Sequence, residues 1–140
     1  MTSFVAGISP NAGVVSLTIG VSLIAIELNR PGSILPGAFG LLLSLLAIAS
    51  LLGRHPQIWA VVLLVLGSAT ILTQLRRNLP AWAATLATIA LFCGFLSLFP
   101  LGAPGRVHPA IAAVCAFFLG AGTTVLTRIA RRARVNKGLD

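Results

Sequence analysis

The residues of this chain that could do chemistry are few and lie far apart in the sequence. Glu27 and Asp140 are its only acids, and His55 and His108 are its only histidines. Two histidines are weak evidence for a zinc site, because such sites use at least three protein ligands. No acid lies near either histidine in the sequence, so a Ser-His-Asp triad cannot be assembled. We therefore predict loop histidines and no catalytic residue, no metal site and no cofactor.

Glu27 is the one acid within reach of a membrane, and two interpretations of it are open. An ionisable residue inside a membrane is a functional candidate, so Glu27 and Arg30 could form the coupling pair of a transporter or channel. The plainer interpretation is structural, since a spacing of three residues allows an ion pair on one helix face. A carboxylate at mid-bilayer would cancel most of the roughly 3–4 kcal/mol that the apolar residues of its helix contribute to insertion. We therefore expect Glu27 near the membrane interface.

The composition indicates that this protein lies within a lipid bilayer. Hydrophobic residues make up 57% of the chain and charged residues 9%, whereas a soluble domain has about a quarter charged residues. The apolar runs are about 20 residues long, which is the length that spans roughly 30 Å of hydrocarbon as a helix. The alternation over about ten residues that would indicate barrel strands is absent. The sequence predicts a single all-α integral membrane domain over residues 1–140.

Five transmembrane helices are predicted, at residues 11–28, 34–53, 56–76, 80–99 and 109–128. A proline opens each of them, at Pro10, Pro36, Pro56, Pro80 and Pro109. Proline fits a first helical turn because its missing N–H would lack an intrahelical partner there anyway. Asn78, just before the fourth of these prolines, is predicted to cap its helix.

An alternative arrangement exists for the first two helices. They could form a re-entrant hairpin that turns at Pro31-Gly32 without crossing the membrane. Arg30 would then sit at membrane depth, at a cost of roughly 2.5–3.5 kcal/mol. Five full crossings carry no such cost, so we prefer them.

The basic residues predict the orientation of the bundle. Five crossings place eight of the ten lysines and arginines on one side. These eight are Arg30, Arg76, Arg77, Arg128, Arg131, Arg132, Arg134 and Lys137. Arg54 and Arg106 fall on the other side, so the positive-inside rule predicts an outside N-terminus and a cytoplasmic C-terminus in the bacterial inner membrane. The net charge of +8 therefore reflects topology rather than a nucleic-acid partner.

The end of the chain is predicted to be a short basic cytoplasmic tail over residues 129–140. Four arginines, Arg128, Arg131, Arg132 and Arg134, carry the last helix into the headgroup zone. There each can pair with an anionic lipid phosphate for about 1 kcal/mol. A topology anchor is the plainer interpretation of the same residues.

Small residues recur every four positions in three of the predicted helices. They are Ala112, Ala116, Gly120 and Thr124 in the last helix, Ala12, Ser16 and Gly20 in the first, and Ala90 and Gly94 in the fourth. Such stripes let helices approach closely in lipid. They predict helix packing, either within one chain or between the copies of a homo-oligomer.

The segment IELNRPG at Ile26–Gly32, followed by LPGAFG at Leu35–Gly40, resembles the membrane region of the NfeD family. In that family an apolar helix ends in an acid, a Pro-Gly turn follows, and glycines mark the second helix. The matching residues here are Glu27, Pro31, Gly32, Gly37 and Gly40. A glycine-containing third helix and a short basic end also fit, so the resemblance covers nearly the whole chain.

The resemblance implies an accessory partner of flotillin- or stomatin-type scaffold proteins, with its N-terminus outside and its C-terminus inside. Long family members carry a periplasmic serine-protease domain, and many end in a cytoplasmic barrel of OB type. Here about ten residues precede the first helix, and the chain stops at Asp140, about where that barrel would begin. We therefore expect a membrane-only member without protease activity.

The leading hypothesis is a non-enzymatic membrane adaptor that acts through helix–helix contacts with itself or with a flotillin- or stomatin-like scaffold. One alternative is a small transporter or channel that uses Glu27 and Arg30. Another is a structural subunit of a larger membrane complex. In all three cases the chain is surrounded by membrane lipids, and no nucleic acid is expected to bind.

Overall fold

The computed structural model describes residues 2–29, 32, 34–103 and 105–138, and its secondary structure there is helical throughout. The helices are α1 (Thr2–Gly7), α2 (Pro10–Asn29), α3 (Leu35–Leu52), α4 (Ile58–Arg76), α5 (Ala81–Leu96), α6 (Pro109–Phe117) and α7 (Thr123–Asn136), and a π-helical turn at Phe118–Gly122 joins α6 to α7. We refer to Pro109–Asn136 as the last helix. It and α2, α3 and α4 are long and apolar enough to cross a membrane, and α5 is a shorter apolar helix. The predicted all-α fold with five transmembrane helices is confirmed.

The largest differences from the predicted boundaries lie at the ends of α5 and the last helix. α5 ends at Leu96 because the next apolar residues, Leu98 and Phe99, turn inward and become 2% and 6% exposed. Burying such side chains gains about 1.5–3 kcal/mol each, more than a continued helix would provide. The last helix runs to Asn136, well beyond residue 128, since its arginines and alanines favour helix. The short helix α1 was not predicted.

The prolines mark helix starts, although not all in the same way. Pro10 and Pro109 are the first residues of their helices, and Pro36 lies in the first turn of α3. Pro80 is instead the N-cap of α5, with an extended backbone (φ −63°, ψ 156°) and no side-chain hydrogen bond to the helix. The predicted cap at Asn78 is therefore wrong, because the proline itself occupies that position.

The helices pack as two hairpins against the last helix. α2 packs along α3 on one side and against the last helix on another, while α4 and α5 form the second hairpin. α5 also packs on the last helix, and the shared core includes the fully buried Leu91 and Phe95 of α5 and Val14 of α2. α3 receives nearly all its packing from α2, with a smaller contribution from α1. It therefore lies at the edge of the bundle.

Hydrogen bonds tie the loops together at the end of the bundle where α2 begins. The backbone N–H of Gln57 donates to the Leu98 carbonyl at 2.9 Å, which joins the α3–α4 turn to the end of α5. Arg54 donates from Nη2 to the Ile8 carbonyl at 2.9 Å, which joins the same turn to the segment before α2. The first bond closes the open end of the α4–α5 hairpin, and the second closes that of the α2–α3 hairpin.

Candidate functional site

Glycines bring the backbones of α2 and α3 into near contact. A Cβ on Gly20 would lie 2.7 Å from the Gly40 carbonyl oxygen and 2.9 Å from the Ser44 nitrogen. A Cβ on Gly40 would meet the Gly20 carbonyl oxygen and would lie 3.0 Å from the Cβ of Leu23. Small residues are the usual means of close helix packing in lipid. This crossing therefore fixes how the α2–α3 hairpin is assembled.

Glu27 lies near the end of α2 and packs against the first turn of α3. A Cβ at Gly37 would overlap the Glu27 carboxyl group, so any larger residue at this position would require that side chain to move. The first turn of a helix has unpaired N–H groups and the positive end of the helix dipole, which favour a negative charge. The Oε2 atom of Glu27 is buried and has no hydrogen-bond partner among the described residues. Arg30, its predicted ion-pair partner, lies outside the described residues.

The three glycines of the family turn motif are each explained by a different structural requirement. Gly32 has φ +137°, a conformation that side-chain-bearing residues rarely adopt. Gly37 makes room for the Glu27 carboxyl group, and Gly40 makes room for the backbone of α2. Pro31, the remaining member of the motif, lies outside the described residues. The motif thus encodes a turn and two close approaches between α2 and α3.

The small-residue stripe of the last helix is used inside the chain. Ala112, Ala116 and Gly120 are all buried. A Cβ at Gly120 would overlap the Thr88 side chain of α5. Thr124 donates to the Gly120 carbonyl at 2.6 Å and also contacts Gln74 of α4, with 3.2 Å between Oγ1 and Oε1. This stripe therefore joins the last helix to the α4–α5 hairpin.

The other small residues divide between the interior and the surface. Gly20 is buried and Ser16 half-buried, whereas Ala12 is exposed. In α5, Gly94 is buried with the Leu64 side chain against it, and Ala90 is half-buried. Four of these five positions thus contribute to packing within one chain.

The π-helical turn at Phe118–Gly122 begins a line of buried polar side chains. Thr123 donates its hydroxyl to the Leu119 carbonyl one turn earlier. Thr123, Thr127 and Gln74 are only 5%, 6% and 7% exposed. Turns of this kind are frequent at functional sites. The polar line runs from mid-helix toward the end of the bundle where the arginines gather.

Two of the arginines predicted as headgroup ligands donate hydrogen bonds to the ends of other helices. Arg131 donates from Nη2 to the Gln74 carbonyl at 3.0 Å, and Arg134 donates from Nη2 to the Asn29 carbonyl at 3.2 Å. The two carbonyls lie in the last turns of α4 and α2, where no intrahelical donor is left and the helix dipole is negative. Arg131 and Arg134 therefore fasten α4 and α2 to the last helix.

The remaining arginines at this end point outward. Arg128 and Arg132 are exposed, as are Arg76 and Arg77 at the end of α4. None of the four guanidinium groups has a hydrogen bond within the part of the chain that the structure describes. We call the ends of α2, α4 and the last helix, together with these side chains, the arginine-rich end.

Both histidines lie outside the apolar helices, as predicted. His55 is exposed in the α3–α4 turn with φ +55°. His108 is the N-cap of α6, and its Nδ1 accepts a hydrogen bond from the Ala110 N–H at 3.2 Å. Its own backbone N–H donates to Asn11 Oδ1 at 2.8 Å. Across the described ranges, no group of three or more His, Cys, Asp or Glu side chains could hold a metal ion.

Gln74 and Thr88 are site residues that the sequence did not reveal. Thr88 lies in an apolar run, where a lone threonine normally bonds to its own helix, and its hydroxyl does donate to the Ala84 carbonyl at 2.8 Å. Gln74 stands near the end of such a run, where a polar side chain is expected to face the headgroups. The structure instead buries the Gln74 side chain against Thr124, a residue 50 positions away in the sequence.

These features define a polytopic helical membrane protein built on a glycine-packed hairpin. The family model described as the NfeD integral membrane domain matches residues 11–129. The chain belongs to this family, as its turn motif predicted. Comparison with curated proteins and with solved structures gave no match.

Proposed function

We propose that this NfeD-family protein is a non-enzymatic membrane adaptor that binds other membrane proteins through helix–helix contacts. The observation that carries the proposal is the position of α3 at the edge of the bundle. α3 packs on α2 through buried residues that include Gly40, Ser44 and Ala47. On its opposite face, Leu42 and Leu45 are 58% and 57% exposed. We call this opposite face the outer face of α3.

Exposed leucines are ordinary on a membrane protein, so exposure alone does not identify a partner surface. α3 differs from the other long helices because α2 supplies nearly all of its packing. A partner helix can lie along the outer face without displacing any helix of the chain. Ala38 and Ala49 are exposed on that face, and small residues allow close approach.

The proposed partner is a flotillin- or stomatin-like scaffold protein, as the resemblance to the family implies. The proposed location is the bacterial inner membrane, with the C-terminus in the cytoplasm. Support for this orientation comes from the exposed Arg76, Arg77, Arg128 and Arg132, which gather at one end of the bundle. Basic residues are retained on the cytoplasmic side of membranes.

Capture from native membranes tests the proposal. The membranes are lightly crosslinked and solubilised in mild detergent, and proteins that accompany the tagged chain are identified by mass spectrometry. We expect a flotillin- or stomatin-like protein to be enriched over a capture of an unrelated tagged membrane protein of similar size. Recovery of the chain alone, or only as a homo-oligomer, would contradict the proposal.

A second candidate function, a small transporter or channel, is favoured by the buried Oε2 atom of Glu27, which has no hydrogen-bond partner among the described residues. Against it, the buried hydroxyls of Thr18 and Ser44 donate to carbonyls of their own helices, so they do not line a path. Glu27→Gln removes the charge and keeps the shape of the side chain. If the protein in liposomes conducts an ion or proton through Glu27, this variant abolishes the flux, and an unchanged flux would exclude the candidate.

A further inference from the structure

Two of the cavities at the arginine-rich end share Arg131 and Asn78 in their linings. The smaller, of about 60 Å³, lies between the α4–α5 turn and the last helix. Its polar lining includes Gln74, Arg77, Asn78, Thr124, Arg128 and Arg131. The larger, of about 520 Å³, lies on the other side of Arg131. Its polar lining is Arg76, Asn78, Arg131, Arg132, Arg134 and Asn136.

The charge of both cavities calls for an anion. Three arginines line the smaller cavity and four line the larger, and no acid among the described residues lines either of them. Guanidinium groups that line one cavity repel one another unless an anion lies between them. The planar arginine fork matches the oxygens of phosphate with two parallel hydrogen bonds. A phosphate group is therefore the ligand that these linings fit best.

Gln74 adds a second, independent indication of a ligand. Its side chain is 7% exposed, and its Oε1 lies 3.2 Å from the Thr124 hydroxyl. The side-chain amide nitrogen carries two N–H donors, and it donates to no residue within the described chain. Because Gln74 lines the smaller cavity, a phosphate oxygen there would accept from this amide.

The surroundings of both cavities favour a lipid over a soluble anion. Leu79 and Pro80 line the smaller cavity, and Leu75 and Val135 line the larger. All of these lie at or beyond the ends of the membrane-spanning segments, where headgroups meet acyl chains. A water molecule needs about 10–15 Å³, so the smaller cavity has room for a group of several heavy atoms, such as one phosphate.

We propose that the two cavities together bind one anionic lipid that carries two phosphates, a diphosphatidylglycerol-type lipid. One phosphate occupies the smaller cavity against Arg77 and Arg128, and the other occupies the larger cavity against Arg76 and Arg132. Arg131 lies between them and contacts both. This inference holds or fails independently of the adaptor function.

Lipid binding to the purified full chain tests the proposal. The probes are diphosphatidylglycerol, phosphatidylglycerol at the same phosphate concentration, and inorganic pyrophosphate. We expect diphosphatidylglycerol to bind at least about tenfold more tightly than either of the others. Arg77→Gln and Arg132→Gln remove one charge from each cavity, and each should weaken its binding about fivefold.

Arg106→Gln is the matched control, because Arg106 is exposed at the opposite end of the bundle and the variant removes the same charge. It should change binding less than about twofold. Equal losses in Arg106→Gln and Arg77→Gln, or equal binding of the two lipids, would overturn the proposal. Pyrophosphate that binds as tightly as diphosphatidylglycerol would assign the site to a soluble anion instead.

Size-exclusion chromatography checks that the glutamine variants are folded. Arg77 and Arg132 are exposed, so the profiles of both glutamine variants should match that of the original protein.

A conservative variant separates the charge of Arg77 from its geometry. Arg77→Lys keeps the charge but loses the planar guanidinium group that can bind two phosphate oxygens. We expect it to bind diphosphatidylglycerol more tightly than Arg77→Gln and more weakly than the original protein. Binding equal to that of the original protein would contradict the bidentate contact.

Discussion

Replacing Gly20 with alanine is expected to destabilise the protein by about 3 kcal/mol, at the upper end of the usual cost of overpacking. The added Cβ would lie 2.7 Å from the Gly40 oxygen and 2.9 Å from the Ser44 nitrogen. Both are backbone atoms, so only a movement of α2 and α3 away from each other can relieve the overlap. Unfolding of the detergent-solubilised protein by heat or by SDS measures the loss.

Gly122→Ala is the matched control for this substitution. Gly122 lies in the π-helical turn, and a Cβ built there meets nothing within 4 Å. Its replacement should not destabilise the protein, because alanine is favoured over glycine within a helix by about 0.5–1 kcal/mol. Equal destabilisation by the two alanines would show that the close approach of α2 and α3 does not hold the hairpin together.

Filling the outer face of α3 is expected to release the partner while the bundle stays folded. Leu42→Trp combined with Ala49→Trp places two large side chains on this face, two helical turns apart, since the residues are seven positions apart. Neither side chain packs inside the chain, because both are exposed. A few central residues carry most of the energy of an interface, so the partner recovered from native membranes should fall about tenfold or more.

The matched control places the same bulk on another lipid-facing helix. Val62 and Val65 of α4 are 49% and 61% exposed. Val62→Trp combined with Val65→Trp should leave partner recovery within about twofold of the original protein. If the α4 variant loses as much partner as the α3 variant, or if the α3 variant loses none, the outer face of α3 is not the binding surface.

The helices were predictable because their signals are local. The length of an apolar run and the proline at its start both lie within one segment, and the structure places helices close to these boundaries. The end of α5 was not predictable in this way. Leu98 and Phe99 leave the helix because the neighbouring loop and core can bury them, which depends on contacts distant in the sequence.

Many of the residues of the site were predictable from the sequence, but their contacts were not. The turn motif and the small residues are visible in the sequence, but their partners are not. Nothing local indicates that Gly120 meets Thr88 or that Gly37 meets Glu27. Arg131 could be assigned to the headgroup zone, yet its bond to the Gln74 carbonyl requires the end of α4 to lie beside the last helix.

The adaptor function proposed above requires the outer face of α3 to bind another membrane protein. A photo-reactive amino acid at Leu42, activated in native membranes, reports what lies against this face, and the same group at Val65 of α4 is the comparison. We predict a crosslinked flotillin- or stomatin-like protein from Leu42 and only lipid adducts from Val65. Lipid adducts alone at Leu42, or the same crosslinked proteins from both positions, would contradict the claim.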